Sequence, residues 1–315
     1  MRTENATILG TGVYLPSNIV TNEDICKHID TTPEWVETKL GIKERRISDM
    51  DIGTSDLAYH ASLQALKNSN IDKEDLDLIM VVTSTPDQLA PSTACTVHGM
   101  LGIKKNVPAF DINAVCSGFV YAYSIASTLI GSGLYKNILI VASETYSKHI
   151  SLGNRNCVFF GDGAGAVVLG TSKNGWTVSN IASNGSGTGM TGFRMPLISD
   201  FNVNGREVWE HATDVLPKSI ISVLEEANLT VGEIKMLVPH QPSINILKLL
   251  AKEIGMDMED VKTIQYKYGN IAGASIPIAL HEAIENKEIV RGDKILLSAV
   301  GSGWTWGSIV INYEK

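Results

Sequence analysis

Three segments in the second half of this chain repeat three in the first half, in the same order. No other feature restricts the fold as much. "EDLDLIMVVTSTPDQ" (74–88) resembles "GEIKMLVPHQPS" (232–243): an acidic start, an apolar run, then a polar loop. "KNILIVASE" (136–144) resembles "DKILLSAVGSG" (293–303). "GDGAGAVVLG" (161–170) resembles "GSGWTWGSIVIN" (301–312), a Gly-rich turn followed by an apolar strand. Matched order argues for a duplicated unit, with halves 1–172 and 173–315 joined at the polar stretch "GTSKNG" (170–175).

Each unit alternates strand and helix. The runs 76–85, 106–114 and 137–144 are short, apolar and closed by polar residues, as strands buried on both faces are. Residues 55–69 and 117–133 space their apolar side chains as helices do and end in Asn- or Gly-type stops. The class expected is α/β. At 315 residues the chain is long enough to bury a large core without staples.

Charge and cysteine usage narrow the function. A net charge of −8 opposes nucleic-acid binding by bulk electrostatics. Cys26, Cys95, Cys116 and Cys157 have neither Cys-x-x-Cys nor zinc-like spacing, so reduced thiols are expected. The N-terminus lacks the plan of a signal peptide, and no run is long enough to span a membrane. A cytoplasmic enzyme that uses no membrane and no metal fits these features.

The stretch "DINAVCSGF" (111–119) places Cys116 after an expected strand and at the start of an expected helix. The free amides there favour a thiolate, which can take an acyl group from a thioester. A small core cysteine would read the same way from this stretch alone. His240 in "LVPHQPS" and Asn270 in "YGNIAGAS" also stand at strand ends or turns. Together they can donate two hydrogen bonds to a thioester oxygen, as an enolate formed by loss of carbon dioxide requires. The turn in "AVGSGWTWG" (299–307) offers backbone amides for an oxyanion hole.

Six stretches carry a family resemblance: "TPEWVETKLGIKERRI", "DINAVCSGF", "FFGDGAGAVVLG", "VPHQPSINIL", "YGNIAGASIP" and "GSGWTWGSIVI", in this order across nearly the whole chain. They resemble β-ketoacyl-acyl-carrier-protein synthase III. The resemblance implies the thiolase fold, two similar halves in a five-layer αβαβα sandwich, in a homodimer. It implies a catalytic set of Cys116, His240 and Asn270, with the amides of Cys116 and Ser302 as the oxyanion hole. It implies an acyl-CoA donor, no cofactor, and a malonyl unit on acyl carrier protein or coenzyme A. Thr31, Trp35, Lys39 and Arg155 match coenzyme A contacts, with Lys39 where an arginine is usual and Arg155 one place out of register.

The departures concern partners. Asn245 and Glu210 stand where the family has basic residues at its carrier-protein surface, while Lys248 and Lys252 remain. Lost positive charge weakens docking to an acidic carrier. Ala90 stands where the family often has an aromatic residue that reaches the partner subunit's acyl pocket, and the segment between Asn184 and Arg206 is short for the family. These features raise the alternative of a specialised synthase making esters, amides or signalling molecules. A thioesterase or a non-catalytic acyl-CoA binder are further alternatives. Other motifs have plainer readings. Cys95 and His98, at i and i+3, are expected to pack rather than bind metal. "GTGMTG" (187–192) is read as a loop rather than a dinucleotide fingerprint, because proline soon follows. Asp162 is expected to cap the "GDGAG" turn.

Overall fold

The computed structural model describes residues 2–187, 191–192 and 202–315, with backbone only for 2–5 and 191–192. An eight-stranded sheet dominates it. Its strands are β1 (Arg2–Tyr14), β2 (Leu78–Val82), β3 (Ala109–Ile112), β4 (Asn137–Thr145), β5 (Asp162–Ser183), β6 (Met236–Pro239), β7 (Lys294–Gly301) and β8 (Thr305–Asn312). The order is β6-β7-β8-β5-β4-β2-β3, with β1 paired to β5.

One series of directions occurs twice. In the first, β1 runs antiparallel to the start of β5, β5 antiparallel to β4, β4 parallel to β2, and β2 parallel to β3. In the second, the end of β5 runs antiparallel to β8, β8 antiparallel to β7, and β7 parallel to β6. A parallel bridge from Leu237 to Val261 stands where β3 stands in the first. The expected polar junction 170–175 is not a separate turn. It lies inside β5, whose partners on β1 skip from Thr171 to Trp176.

Strand alternation builds the layers. Side chains two apart share a face. Leu78, Met80, Ile138 and Ile140 enter the same cluster as Ile295, Leu297, Ile309 and Ile311. Between them lie α-helices Gly118–Gly131 and Ser275–Glu285, buried along most of their length. The opposite faces, Ile79, Val81, Leu139 and Val141, pack on helices Thr54–Ser69 and Thr93–Leu101. Leu237, Leu296 and Val310 pack on helices Gly205–Ala227 and Ile244–Ile254. The result is the five-layer αβαβα sandwich of the thiolase fold.

Glycine permits one of the closest approaches. A Cβ on Gly12 would stand 2.4 Å from the Ala61 carbonyl oxygen and the Ala65 amide nitrogen, so β1 lies directly on helix Thr54–Ser69. Among the described residues, no helix is long and apolar enough to cross a membrane.

Candidate active site

Strand ends from both series open onto one cavity of about 830 Å³. Cys116, His240, Asn270 and Ser302 line it, and Lys39 stands on its wall as well.

Cys116 sits in a 3-10 turn, Val115–Ser117, and the α-helix starts only at Gly118. Val115 takes φ of 48°, a left-handed conformation that a β-branched residue resists. Such strain costs on the order of 1–3 kcal/mol and persists only where the surroundings enforce it. Here the turn is tied across its ends: Ser117 Oγ lies 2.9 Å from the Ala114 carbonyl oxygen and donates to Thr305 Oγ1 at 2.8 Å, and Thr305 Oγ1 donates to the same carbonyl. A Cβ on Gly301 would lie 2.6 Å from the Ala114 oxygen, so the turn carrying Ser302 abuts the cysteine turn.

The expected thiolate is not favoured by this position in the free protein. Burial pushes the Cys116 thiol well up, and the nearby Glu144 pushes it further; its own backbone hydrogen bond opposes them weakly. The helix dipole argument placed Cys116 at the helix start, whereas it sits one turn ahead of it with a carboxylate nearby.

His240 follows β6 directly, and its amide donates to the Ser298 carbonyl at 2.9 Å. Gln241 locks the loop: its Nε2 donates to the Pro239 and Lys262 carbonyls, and its Oε1 accepts from the Ile264 amide. The ring is buried, 4% exposed, and burial lowers its pKa to about 4, with a hydrogen bond from the ring to the Ala272 backbone carbonyl opposing. It is therefore neutral at physiological pH. Its folded pKa lies below the ordinary 6.5. The stability linked to this ring is thus present above about pH 6.5 and lost as pH falls toward 4. The melting temperature is expected to drop more between pH 7 and pH 4.5 for the native protein than for His240→Gln. Equal drops in scanning calorimetry would contradict this.

Asn270 is placed by its backbone. Its amide donates to the Phe159 carbonyl at 2.8 Å, and its carbonyl accepts from Gly161 at 3.1 Å. A Cβ at Gly161 would fall 2.2 Å from the Tyr268 oxygen, so glycine is required there. The side-chain Oδ1 accepts from the Ala272 amide at 2.8 Å. That bond fixes the amide so that Nδ2 is left as the donor end.

Trp35 and Arg155 meet although they are distant in sequence. The Arg155 guanidinium carbon lies 5.3 Å from the centre of the Trp35 ring, a cation–π pair. Both lie off the cavity wall, as does Thr31, in the loop before helix Pro33–Leu40. Lys39, in the last turn of that helix, reaches the wall.

Other expectations need correction. Asn245 lines the cavity and donates to the Lys39 carbonyl at 3.0 Å, so it joins two helices as well as facing the site. Glu210 pairs with Arg206 at 2.7 Å on the exposed face of helix Gly205–Ala227. Asp162 does not merely cap its turn: it accepts from the amides and hydroxyls of Ser48 and Ser147. Leu89, beside Ala90, lines the cavity. Cys95 and His98 share helix Thr93–Leu101, but Cys95 is exposed there rather than packed, and no group of three or more possible metal ligands occurs among the described residues. Residues 188–190 of the Gly-rich stretch and 193–201 lie outside the described residues.

Sequence reasoning missed Glu144, Ser84 and Tyr146. Ser84 and Tyr146 line the cavity, and Glu144 is fully buried behind them. The available signal was an acidic residue closing the apolar run "NILIVASE".

Comparisons with known proteins decide the family. A model described as 3-oxoacyl-[acyl-carrier-protein] synthase III matches residues 110–186, and one described as its C-terminal part matches 224–313. A β-ketoacyl-[acyl-carrier-protein] synthase III of Clostridium perfringens is 43% identical over 98% of this chain and 99% of its own. The chain belongs to the β-ketoacyl-acyl-carrier-protein synthase III family. A relative of the same name from Caldanaerobacter subterraneus is 44% identical, covering 98% of each chain. The crystal structure of 3-oxoacyl-[acyl-carrier-protein] synthase III from Aquifex aeolicus superposes with a TM-score of 0.94 at 40% identity, over 98% of this chain and 100% of that one. As a member of this synthase III family the chain is an acyltransferase, a condensing enzyme that joins an acyl thioester to a malonyl thioester with loss of carbon dioxide. The specialised-metabolite alternative is not favoured by these relatives.

Proposed function

We propose that Cys116 takes an acyl group from an acyl-CoA and passes it to the enolate of a malonyl thioester carried by acyl carrier protein. One observation carries this reading: a cysteine, a neutral histidine and an oriented Asn amide, from three separate turns, face one cavity. The thiolate attacks the thioester carbonyl, with the amides of Cys116 and Ser302 holding the oxyanion. His240 and Asn270 then donate to the malonyl thioester oxygen while carbon dioxide leaves. The enolate carbon attacks the acyl-cysteine carbonyl, the C–S bond breaks, and the Cys116 thiolate leaves.

Trp35 and Arg155 form the outer clamp for the coenzyme's adenine end, with Thr31 beside them and Lys39 toward the phosphates. Lys39 offers a point charge rather than a bidentate fork. Stacking and cation–π contacts are worth about 1–1.5 kcal/mol, roughly tenfold in affinity. Trp35→Ala is therefore expected to raise the KM for acyl-CoA about tenfold and leave kcat nearly unchanged in steady-state assays.

The chain works as a cytoplasmic homodimer and needs no cofactor. Its two halves, 1–172 and 173–315, descend from one duplicated unit, supported by the repeated strand directions. Lys248 and Lys252 supply positive charge for the carrier, and Glu210 is paired with Arg206.

Intact-protein mass spectrometry tests the reading. Incubation with an acyl-CoA panel is expected to add one acyl mass, absent in Cys116→Ala. Malonyl-carrier protein is expected to discharge it to a β-ketoacyl product. Discharge by malonyl-CoA alone would move the extender to coenzyme A. Discharge to free acid without malonate would indicate a thioesterase.

A further inference from the structure

Glu144 is the next-to-last residue of β4, and the described groups that hydrogen-bond to it are all uncharged. Its side chain is fully buried, and burial lifts its pKa to about 7 despite four kinds of hydrogen bond that favour the carboxylate. The Ser84 amide and hydroxyl donate to it, the hydroxyl at 3.0 and 3.1 Å. Thr85 Oγ1 donates at 2.7 Å, and the Gly273 backbone adds another bond. Ser84 Oγ also lies 2.8 Å from the Tyr146 hydroxyl. Ser84 has one hydroxyl proton. If it goes to the carboxylate, Tyr146 must donate to Ser84, and the phenol oxygen keeps its capacity to accept. Ser84 and Tyr146 both line the cavity that holds Cys116. The hydroxyls thus connect a buried carboxylate to the wall where the thiol stands.

We propose that Glu144 holds the proton that Cys116 gives up on acylation, passed through the hydroxyls of Tyr146 and Ser84. This rests on Cys116 being the acyl acceptor. The Cys116 S–H bond breaks and a Glu144 O–H bond forms, while each hydroxyl gives one proton and receives one. The pair carries one negative charge before and after, so no net charge is created in a buried site. The thiolate attacks the thioester carbonyl, the donor's C–S bond breaks, and the departing thiolate takes the proton back from Glu144.

The groups around Glu144 suit this role. Cys116, from the turn before helix Gly118–Gly131, and Tyr146, just after β4, are the titratable groups whose charge is felt with it. The loop after β2 and the turn at Gly273 bring only uncharged donors. His240 across the cavity stays neutral, and His149 on the wall is lowered by burial. His240 therefore supplies no base that switches on near pH 7.

Single-turnover acylation of Cys116 by an acyl-CoA, followed by intact mass across pH 5–9, tests the proposal. The native rate is expected to rise with pH around a midpoint near 7. Glu144→Gln is expected to lower the rate about 100-fold, the low end of proton-transfer effects, and to abolish that limb. Glu144→Asp is expected to recover a limb with a displaced midpoint. A purely structural role would lower the rate and leave the limb in place. An unchanged limb in Glu144→Gln overturns the proposal. If that variant does not fold, Tyr146→Phe decides, because it keeps the carboxylate and breaks the path; an unchanged rate throughout overturns the proposal. Acyl mass that persists in Cys116→Ala would instead overturn the nucleophile on which the inference rests.

Discussion

Cys116→Ala is expected to abolish acyl transfer, with a loss of at least about 10⁴-fold in turnover and little change in melting temperature. No neighbouring group replaces it. Cys157 lies in the short turn Arg155–Val158, contacts the Leu152 carbonyl and is raised by burial. The fold should tolerate the change, because the cysteine turn is held by Ser117, Ala114 and Thr305 rather than by the thiol. Residual malonyl decarboxylation is the informative companion, since His240 and Asn270 remain. Full acyl transfer in the variant, read by intact mass and product formation, would contradict the assignment.

His240→Ala and Asn270→Ala are expected to separate the two half-reactions. Each removes one donor to the enolate oxygen, and one such donor is worth about 10²–10³-fold. Malonyl decarboxylation and condensation should fall by that amount. Self-acylation of Cys116 should continue, because its oxyanion amides lie on other turns. The doubly substituted chain should lose less than the product of the two effects, since both donors serve one charge. Stopped-flow acylation together with carbon dioxide release measures both steps. Unchanged decarboxylation in either variant would remove its proposed role.

Strands buried on both faces could be read directly. Runs such as "LIMVV" and "NILIVASE" are apolar at successive positions because helices cover each side of the sheet. The polar stretch 171–175 misled for the converse reason. Exposed side chains at Thr171, Lys173 and Asn174 suggested a turn, while the backbone continued along β5. The site followed the same pattern. Cys116, His240 and Asn270 were visible because each interrupts an apolar segment near its end. Glu144 stood in an equally visible place but had no meaning without Ser84 and Tyr146 beside it. The ionisation of Cys116 could not be read at all, since burial and a neighbouring carboxylate outweigh the local turn.

The sequence by itself determined the alternation of strands and helices, and it carried the repeated segments and the three candidate side chains Cys116, His240 and Asn270 in plain view. Those depend on local spacing and residue type. Only the tertiary structure decided which of these groups share a cavity, that His240 is neutral, that Arg155 stacks on Trp35, and that a carboxylate lies behind the nucleophile. These are long-range facts. Desolvation and electrostatics depend on what the folded chain brings within a few ångströms, whatever the separation along the sequence.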